Sequence, residues 1–108
     1  MSFPIKFTDT AKEDLRSIIS YIADQSKEKS VAIAFANELR EKINVLKDFP
    51  EIGSIADDRV MKSFGYRYLV HKDYLIFYRY EPKEKTSYIL AIFNGRRDYA
   101  RILRKFLK

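Results

Sequence analysis

The chain of 108 residues contains no cysteine, one histidine and only three glycines, and each of these shortages excludes a class of site. Without cysteine there is no disulfide framework and no thiolate metal site. The single histidine, His71, excludes a metal site built from several histidines, and no HExxH motif is present. Three glycines leave no glycine-rich loop that could cradle a phosphate. We therefore expect no metal ion and no other cofactor.

Long apolar runs are missing as well. No run approaches the roughly 20 residues that span a bilayer, and the N-terminal segment MSFPIKFTD lacks the apolar core of a secretory signal. The length suits one domain, which we place over residues 1–108. We expect a soluble, cytoplasmic protein that does not contact a membrane.

Positive charge is concentrated in the second part of the chain. Residues 1–65 hold 10 Lys/Arg against 11 Asp/Glu, a net charge of −1, whereas residues 66–108 hold 11 against 4, a net charge of +7. A one-sided basic field attracts a polyanion such as nucleic acid or the ribosome, or an acidic protein. Ordinary solubilising charge explains the composition about as well, and the asymmetry favours a functional surface.

Two amphipathic helices are predicted in the first part of the chain. The segment TAKE, residues 10–13, is typical of a capping box and places the N-cap of the first helix at Thr10. This helix is expected to end near residues 24–26, and the second helix ends before Pro50. The apolar stripe of the second helix consists of Ala32, Phe35, Leu39, Ile43 and Leu46. A short connector between the helices predicts a helical hairpin that packs on the core.

Four strands and a closing helix complete the predicted order β-α-α-β-β-β-α. A short extended segment covers residues 2–8, and strands rich in aromatic and β-branched residues cover 66–72, 74–81 and 86–93. Residues 51–65 show no period and are predicted to form a loop with room for one helical turn. Residue Asp98 is a suitable N-cap for the last helix. The fold class is therefore α+β, with an antiparallel sheet packed on the helical hairpin and its other face partly open.

Arginine, lysine, tyrosine and His71 remain as candidate functional residues. Side-chain alternation puts Arg67 on the same strand face as His71. If the strand register allows, Arg67 and Arg79 share the open face of the sheet. Such an inventory suits metal-free RNA cleavage, in which the 2′-OH of the substrate attacks the neighbouring phosphate. Arginine would stabilise the developing charge, and histidine or tyrosine would move protons. The same inventory suits plain binding to an anionic surface equally well.

The paired arginines, Arg96 and Arg97, stand at the junction between the last strand and the last helix. A helix N-terminus is a weak anion site, so the pair is a candidate contact with an anionic partner. The alternative is an incidental salt bridge to Asp98 or to a loop carboxylate. For His71, the more common role is that of a solvated turn residue.

Four segments carry a family resemblance in order along the chain, namely FTDTAKEDLRSIISYIADQ, LKDFPEIG, GYRYLVHKDYLIFYRYE and ILAIFNGRRDYARIL. Through these segments the chain resembles the RelE/ParE superfamily of toxins from bacterial type II toxin–antitoxin systems. It implies the fold given above and a cognate antitoxin that wraps the toxin and neutralises it. It also implies growth inhibition and, in some systems, plasmid stabilisation.

Two activities occur in this superfamily. RelE-like members cut mRNA in the ribosomal A site without a metal, and the resemblance implies an arginine where this chain has Leu75. Their later arginine matches Arg97, and their catalytic tyrosine aligns with Leu103, one turn after Tyr99. ParE-like members inhibit DNA gyrase. The combination YLIFYR and GRRD is nearer to the ParE-like pattern, in which a histidine often stands at the position of Asn94.

The sequence therefore leads us to expect a ParE-like toxin that inhibits DNA gyrase. Its expected target contacts are Arg96, Arg97, Tyr99 and Arg101. The alternative is a RelE-like, ribosome-dependent mRNA endonuclease, so whether the protein is an enzyme stays open. The catalytic residues would then be Arg67, Arg79, Arg97, His71 and Tyr99. A third alternative is a non-toxic basic domain that binds nucleic acid.

Overall fold

The computed structural model describes residues 2–56 and 59–95, and the helices and strands of this part follow one another in a mixed α+β order. Its helices are α1 (Asp9–Ser26), α2 (Lys29–Asn44), which continues into a 3₁₀ turn at Val45–Lys47, and the short α3 (Arg59–Ser63). Its strands are β1 (Ile5–Phe7), β2 (Ser54–Ile55), β3 (Tyr66–His71), β4 (Tyr74–Glu81) and β5 (Thr86–Asn94). The predicted closing helix lies outside the described residues.

Helix α1 begins two residues earlier than the capping-box motif predicts. The N-cap is Thr8, whose extended backbone (φ −70°, ψ 163°) follows directly from β1 and whose Oγ1 accepts a hydrogen bond from the N–H of Ala11 at 3.1 Å. The prediction of Thr10 as the N-cap is therefore wrong. A tertiary contact decides between the two threonines, because the Thr8 hydroxyl also donates to the carbonyl of Ile89 at 3.0 Å.

All five strands form one mixed sheet in the order β1-β5-β4-β3-β2. The meander β3–β4–β5 is antiparallel, as its tight turns predict. Strand β1 lies parallel to β5, so at this edge the sheet differs from the predicted antiparallel one; the long connection through the helical hairpin makes a parallel pair possible. Strand β2 pairs antiparallel with β3 and falls in the segment that was predicted as a loop.

The α1–α2 hairpin covers one face of this sheet, which we call the hairpin face. The helices contribute the predicted apolar stripe, and the sheet contributes alternate residues of β3, β4 and β5. The buried residues of this core are Ala11, Ile18, Phe35, Leu39, Ile43 and Leu46 from the helical segment, and Leu69, Ile76, Tyr78, Ile89 and Ile92 from the sheet. Burying each Leu, Ile or Phe side chain contributes about 1.5–3 kcal/mol, so the hairpin is held mainly by this layer.

The opposite face of the sheet, which we call the distal face, carries a second apolar cluster. Ala56, Phe77, Ala91 and Phe93 are buried there. Four partly buried residues pack against them, namely Tyr66, Tyr68, Leu75 and Leu90. At the margins of this face Val70 and Arg79 are exposed, so the face is apolar at its centre and open at its edges. Within the described residues, 2–56 and 59–95, no helix is both long enough and apolar enough to span a membrane.

The position of the N-cap can be tested with two matched substitutions. Thr8→Val removes the capping hydroxyl while keeping the side-chain shape, and we expect it to lower the free energy of unfolding by about 1–2 kcal/mol. Thr10→Val is the control, because the Thr10 hydroxyl is exposed in the first turn, and it should change the stability by less than about 0.5 kcal/mol. Urea unfolding at neutral pH measures both. An equal or larger loss for Thr10→Val would contradict this assignment.

Candidate target-binding face

A β-bulge shapes the distal face at Leu90. The register between β4 and β5 shifts between Phe77, which pairs with Ala91, and Tyr78, which pairs with Ile89, so Leu90 is the extra residue. The bulge lets both Ile89 and Ile92 point toward the hairpin and leaves Leu90 in the distal cluster.

Helix α1 and its N-cap form hydrogen bonds with the backbone of β5 next to this bulge. The Thr8 hydroxyl lies 3.0 Å from the carbonyl oxygen of Ile89 and 3.1 Å from that of Leu90. The carboxylate of Asp14 accepts a hydrogen bond from the N–H of Ile92 at 3.0 Å. Backbone groups of β5 at the point where its pairing with β1 ends are thus bonded by side chains of Thr8 and Asp14, which holds this part of β5 in place.

Arg79 is the arginine that the meander places on the distal face. It pairs across the sheet with Tyr66 on one side and Tyr88 on the other, and its exposed guanidinium donates to Glu81 Oε2 at 3.3 Å. Beside it opens a cleft of about 630 Å³ that also contains Lys83, Glu84 and Tyr88. The cleft is mixed in charge, and its cations stand next to carboxylates.

Tyr88 in this cleft is held as a neutral phenol. Its hydroxyl donates a 2.5 Å hydrogen bond to Glu84 Oε1, and this bond is the main reason that the pKa of Tyr88 is raised above its ordinary value. The phenol therefore acts here as a hydrogen-bond donor to a carboxylate. It is not prepared to accept a proton from a substrate.

Arg67 lies on the hairpin face, because the register places it opposite Tyr78, whereas Arg79 stands opposite Tyr66. The prediction that Arg67 and Arg79 share one open face is therefore wrong. Arg67 Nη1 donates to the carbonyl oxygens of Glu51 at 3.0 Å and Gly53 at 2.9 Å. Through these two bonds the guanidinium holds the loop that precedes β2.

The phenol of Tyr78 bonds the same loop, and we call the contacts of Arg67 and Tyr78 with this loop the clip. Its Oη accepts a buried 2.9 Å hydrogen bond from the N–H of Gly53, and burial raises the pKa of Tyr78, so the phenol stays neutral. The ring lies so close to Gly53 that a Cβ there would stand 2.5 Å from a ring carbon. No side chain fits at this position, which explains the glycine. These contacts with the loop were not predicted from the sequence, in which Gly53 shortly after Pro50 is their one local signal.

His71 also lies on the hairpin face, at the end of β3. Its ring packs 5.3 Å from that of Phe35 on α2, and its side chain is only 17% exposed. Nε2 stands 3.3 Å from Glu38 Oε1 without hydrogen-bond geometry to any described residue. Lys72 Nζ lies 3.2 Å from the same oxygen. His71 is therefore a contact between helix and sheet, and the interpretation as a solvated turn residue is wrong.

Glu38 responds to these two neighbours. Hydrogen bonding and charge from Lys72 lower the pKa of the Glu38 carboxyl below its ordinary value. Burial opposes this effect more weakly than Lys72 promotes it, and still smaller contributions from His71 act in the same direction as Lys72. The carboxylate form thus ties α2 to the turn between β3 and β4.

Four of the predicted site residues, Arg96, Arg97, Tyr99 and Arg101, lie outside the described residues. The described chain ends at Gly95, whose N–H donates to the carbonyl of Asp73 at 2.8 Å. A Cβ on Gly95 would come within 2.9 Å of Leu75 Cγ. The last described residue is thus fixed against the turn between β3 and β4, directly before the paired arginines in sequence. Within residues 2–56 and 59–95 no group of acidic or histidine side chains could hold a metal ion.

Comparisons with known proteins agree with this architecture. A family model described as the ParE toxin of the type II toxin–antitoxin system parDE matches residues 5–99. No curated protein sequence matches the chain. Among solved structures, the chromosomal ParDE toxin–antitoxin system from P. aeruginosa superposes with a TM-score of 0.72 at 18% identity, covering 86% of this chain and 96% of that one.

Two RelE structures are also similar. The toxin–antitoxin complex RelBE2 from Mycobacterium tuberculosis gives a TM-score of 0.62 at 18% identity, with 87% of this chain and 92% of that chain covered. A free E. coli RelE toxin with two arginine-to-alanine substitutions gives 0.64 at 11% identity, covering 97% and 98%. At such identities the structural likeness establishes the fold, which is that of the RelE/ParE superfamily. Because the family model matches most of the chain, this protein belongs to the ParE toxin family of type II toxin–antitoxin systems.

The clip at Gly53 predicts the effect of removing a single oxygen. Tyr78→Phe leaves the buried N–H of Gly53 without its acceptor, and we expect a loss of about 1–3 kcal/mol in the free energy of unfolding. Tyr80→Phe is the matched control. Tyr80 packs edge-on against Phe3 through its ring, and this substitution keeps the ring. Denaturant unfolding of both variants distinguishes the two tyrosines, and similar stabilities would show that the Tyr78 hydroxyl is not bonded as described.

The contact at Glu38 predicts a dependence on pH. A folded-state pKa below the unfolded one means that the carboxylate stabilises the fold above the unfolded pKa. This stabilisation is lost as the pH falls through the folded pKa. Glu38→Gln should therefore be less stable than the parent at neutral pH and equally stable at about pH 3. Glu41→Gln, in which an exposed acid of the same helix is changed, should follow the parent throughout. A Glu38→Gln deficit that persists in acid would contradict the ion-pair account.

Proposed function

We propose that this protein is a ParE-like toxin that inhibits DNA gyrase by binding and is neutralised by a cognate antitoxin. In this proposal the protein acts in the cytoplasm and slows bacterial growth. It needs no metal or other cofactor and catalyses no bond cleavage. Membership of the ParE toxin family gives the class, and the choice of gyrase as the target rests on the chemistry of the distal face.

Leu75 is the observation that carries the choice of target. In RelE-like nucleases the resemblance implies an arginine at this strand position. Here the side chain is apolar and packs in the distal cluster with Phe77 and Phe93, next to Gly95. An apolar residue in this place cannot stabilise the charge that develops on a phosphate during cleavage. Phe77 and Phe93 are themselves buried, so the apolar contact that this place offers a protein partner is Leu75, which is partly exposed.

The three candidate catalytic residues that the structure describes do not come together around a phosphate. Arg67 is bonded to loop carbonyls, and His71 packs on α2, both on the hairpin face. Arg79 is on the distal face beside Glu81. General acid–base catalysis requires a proton-transfer group and an anion-stabilising group within hydrogen-bond reach of one substrate. The sheet instead separates Arg79 from Arg67 and His71.

Arg96, Arg97, Tyr99 and Arg101 are proposed as the main contacts with the target. They follow Gly95, which is anchored to the turn between β3 and β4, so the chain enters this segment from a fixed point beside Leu75. Arginine and tyrosine are the side chains most often responsible for binding energy at protein interfaces. The partner that neutralises them is proposed by analogy with the ParDE and RelBE2 systems, whose structures contain toxin–antitoxin pairs.

A RelE-like mRNA endonuclease is the second candidate, because the fold is also similar to that of RelE. In this alternative, Arg79 and Arg97 would hold phosphates and Tyr99 would transfer a proton. The two proposals predict different molecular effects in the cell. A gyrase inhibitor changes DNA topology, whereas the nuclease leaves new 5′ ends within codons.

Purified protein distinguishes the two candidates directly. We expect it to inhibit negative supercoiling of relaxed plasmid by gyrase, while primer extension on mRNA from expressing cells finds no new ends. Arg97→Ala should weaken the inhibition by about 2 kcal/mol, or roughly thirtyfold in inhibitory concentration. His71→Gln should keep it, because His71 takes no part in a binding mechanism.

Arg16→Ala is the matched arginine control. Arg16 forms an exposed ion pair with Glu13 on α1, and such pairs contribute little. Supercoiling that continues at micromolar excess of the protein, together with mRNA ends that depend on Arg97, would replace the gyrase proposal by the nuclease.

A further inference from the structure

A tight turn at residues 71–74, which we call the β3–β4 turn, lies between the helical hairpin and the end of β5. Its first and last residues, His71 and Tyr74, pair with each other. Tyr74 also pairs with Asn94, the last residue of β5. The turn therefore belongs to the part of the sheet where β3 and β5 end and β4 begins.

Phe35 on α2 holds this turn from the hairpin face. Its ring is only 6% exposed, and its centroid lies 5.3 Å from that of the His71 ring and 5.4 Å from that of the Tyr74 ring. The ammonium group of Lys72 stands 5.8 Å from the centroid of the same ring, within reach of cation–π attraction. One buried side chain thus lies against three of the four residues of the turn.

The backbone of Lys72 shows that the turn depends on this support. Its φ of 55° is in the left-handed region, which is unfavourable for a residue with a Cβ and persists where the surroundings determine it. These surroundings are the ring of Phe35 and the carboxylate of Glu38, which is 3.2 Å from Lys72 Nζ. Because the ion pair is exposed and contributes little, Phe35 is the main contact between α2 and the turn.

Gly95 is held by the same turn. Its N–H donates to the carbonyl of Asp73 at 2.8 Å, and a Cβ on Gly95 would stand 2.9 Å from Leu75 Cγ. A movement of the Asp73 peptide therefore displaces or breaks the bond of Gly95. Contacts run without interruption from Phe35 through the turn to the residue that precedes Arg96 in sequence.

We propose that Phe35 is a positioning residue for the target contacts. Through the β3–β4 turn it fixes the point at which the chain leaves Gly95 for Arg96 and Arg97. The inference rests on the proposed function for what these arginines bind. It adds that helix α2 takes part in the inhibition through a side chain that is itself buried.

The imidazole of His71 is not essential to this link. Phe35 also packs on Tyr74, and the backbone of residue 71 pairs with that of Tyr74 whatever side chain it carries. His71→Gln should therefore leave both the turn and the inhibition unchanged. Phe35→Leu, which removes the ring contacts with both residues, should affect both.

Amide hydrogen exchange of the folded, full-length protein tests the link by itself. In Phe35→Leu the exchange at Gly95 should accelerate at least about tenfold, because its acceptor is held less firmly. Ile43→Val is the matched control, since it trims a buried residue of the same helix about 12 Å further along the axis. It should leave exchange at Gly95 within about twofold of the parent, although both variants accelerate exchange at Ile76 in the centre of the sheet.

Inhibition of gyrase tests the positioning role. At a temperature where circular dichroism shows both variants folded, Phe35→Leu should raise the inhibitory concentration about tenfold and Ile43→Val by less than about twofold. Combination with Arg97→Ala distinguishes positioning from a general loss of structure. If Phe35 acts through the target contacts, the double variant should be within about threefold of Arg97→Ala alone, whereas a general loss would add its full effect.

Several results would overturn the inference. Equal acceleration at Gly95 by both single variants, or none by Phe35→Leu, would mean that the turn does not transmit the position of α2. Unchanged inhibition by Phe35→Leu, or full additivity with Arg97→Ala, would remove the positioning role. A parent protein that does not inhibit gyrase would contradict the proposed function instead, and exchange at Gly95 would then decide alone whether α2 fixes the end of β5.

Discussion

Burial of β4 on both of its faces is the constraint on which the rest of this structure depends. Three consecutive residues, Ile76, Phe77 and Tyr78, are 0, 2 and 0% exposed. Since neighbouring side chains of a strand point to opposite faces, such a run requires a covering layer on each side and a strand on each edge. Strand β4 is therefore the centre of the sheet, between β3 and β5, and it divides the molecule into a hairpin face and a distal face.

This division determines what each charged residue can do. Arg67 stands on the hairpin face and holds the loop at Gly53, and His71 on the same face packs against the helical hairpin. Arg79 alone of these three belongs to the distal face. The separation is the reason that we favour binding over catalysis. It also leaves two surfaces with different chemistry, the distal face with Arg79 and the partly exposed Leu75, and a basic groove beside β1 that is lined by Lys12, Arg40 and Lys47.

The sequence predicted the parts of the fold that have a local cause. Helical periodicity identified the residues by which α2 contacts the sheet, including Phe35 and Leu39, and these are buried. The strands of the meander also lie where aromatic and β-branched runs placed them. The N-cap was misplaced, because Thr8 and Thr10 both suit the local pattern and the carbonyl of Ile89 decides between them.

Features of the site that depend on distant contacts were beyond sequence reasoning. Whether Arg67 and Arg79 share a face is set by the register of β3 on β4, a shift of one residue that no local pattern encodes. The basic groove was missed for another reason. Its cations lie in residues 1–65, where the net charge is −1, and only the fold gathers Lys12, Arg40 and Lys47 away from the acidic residues.

The central claim is that the protein contacts its target through the distal face and not through the hairpin side of the sheet. Photo-crosslinking in cells tests it most directly, with a photoreactive amino acid placed either at Val70 on the distal face or at Asn44 in the groove beside β1, both of which are exposed. The account predicts that Val70 crosslinks to a gyrase subunit and that Asn44 does not. Crosslinks from Asn44 to gyrase, or from Val70 to the ribosome, would contradict it.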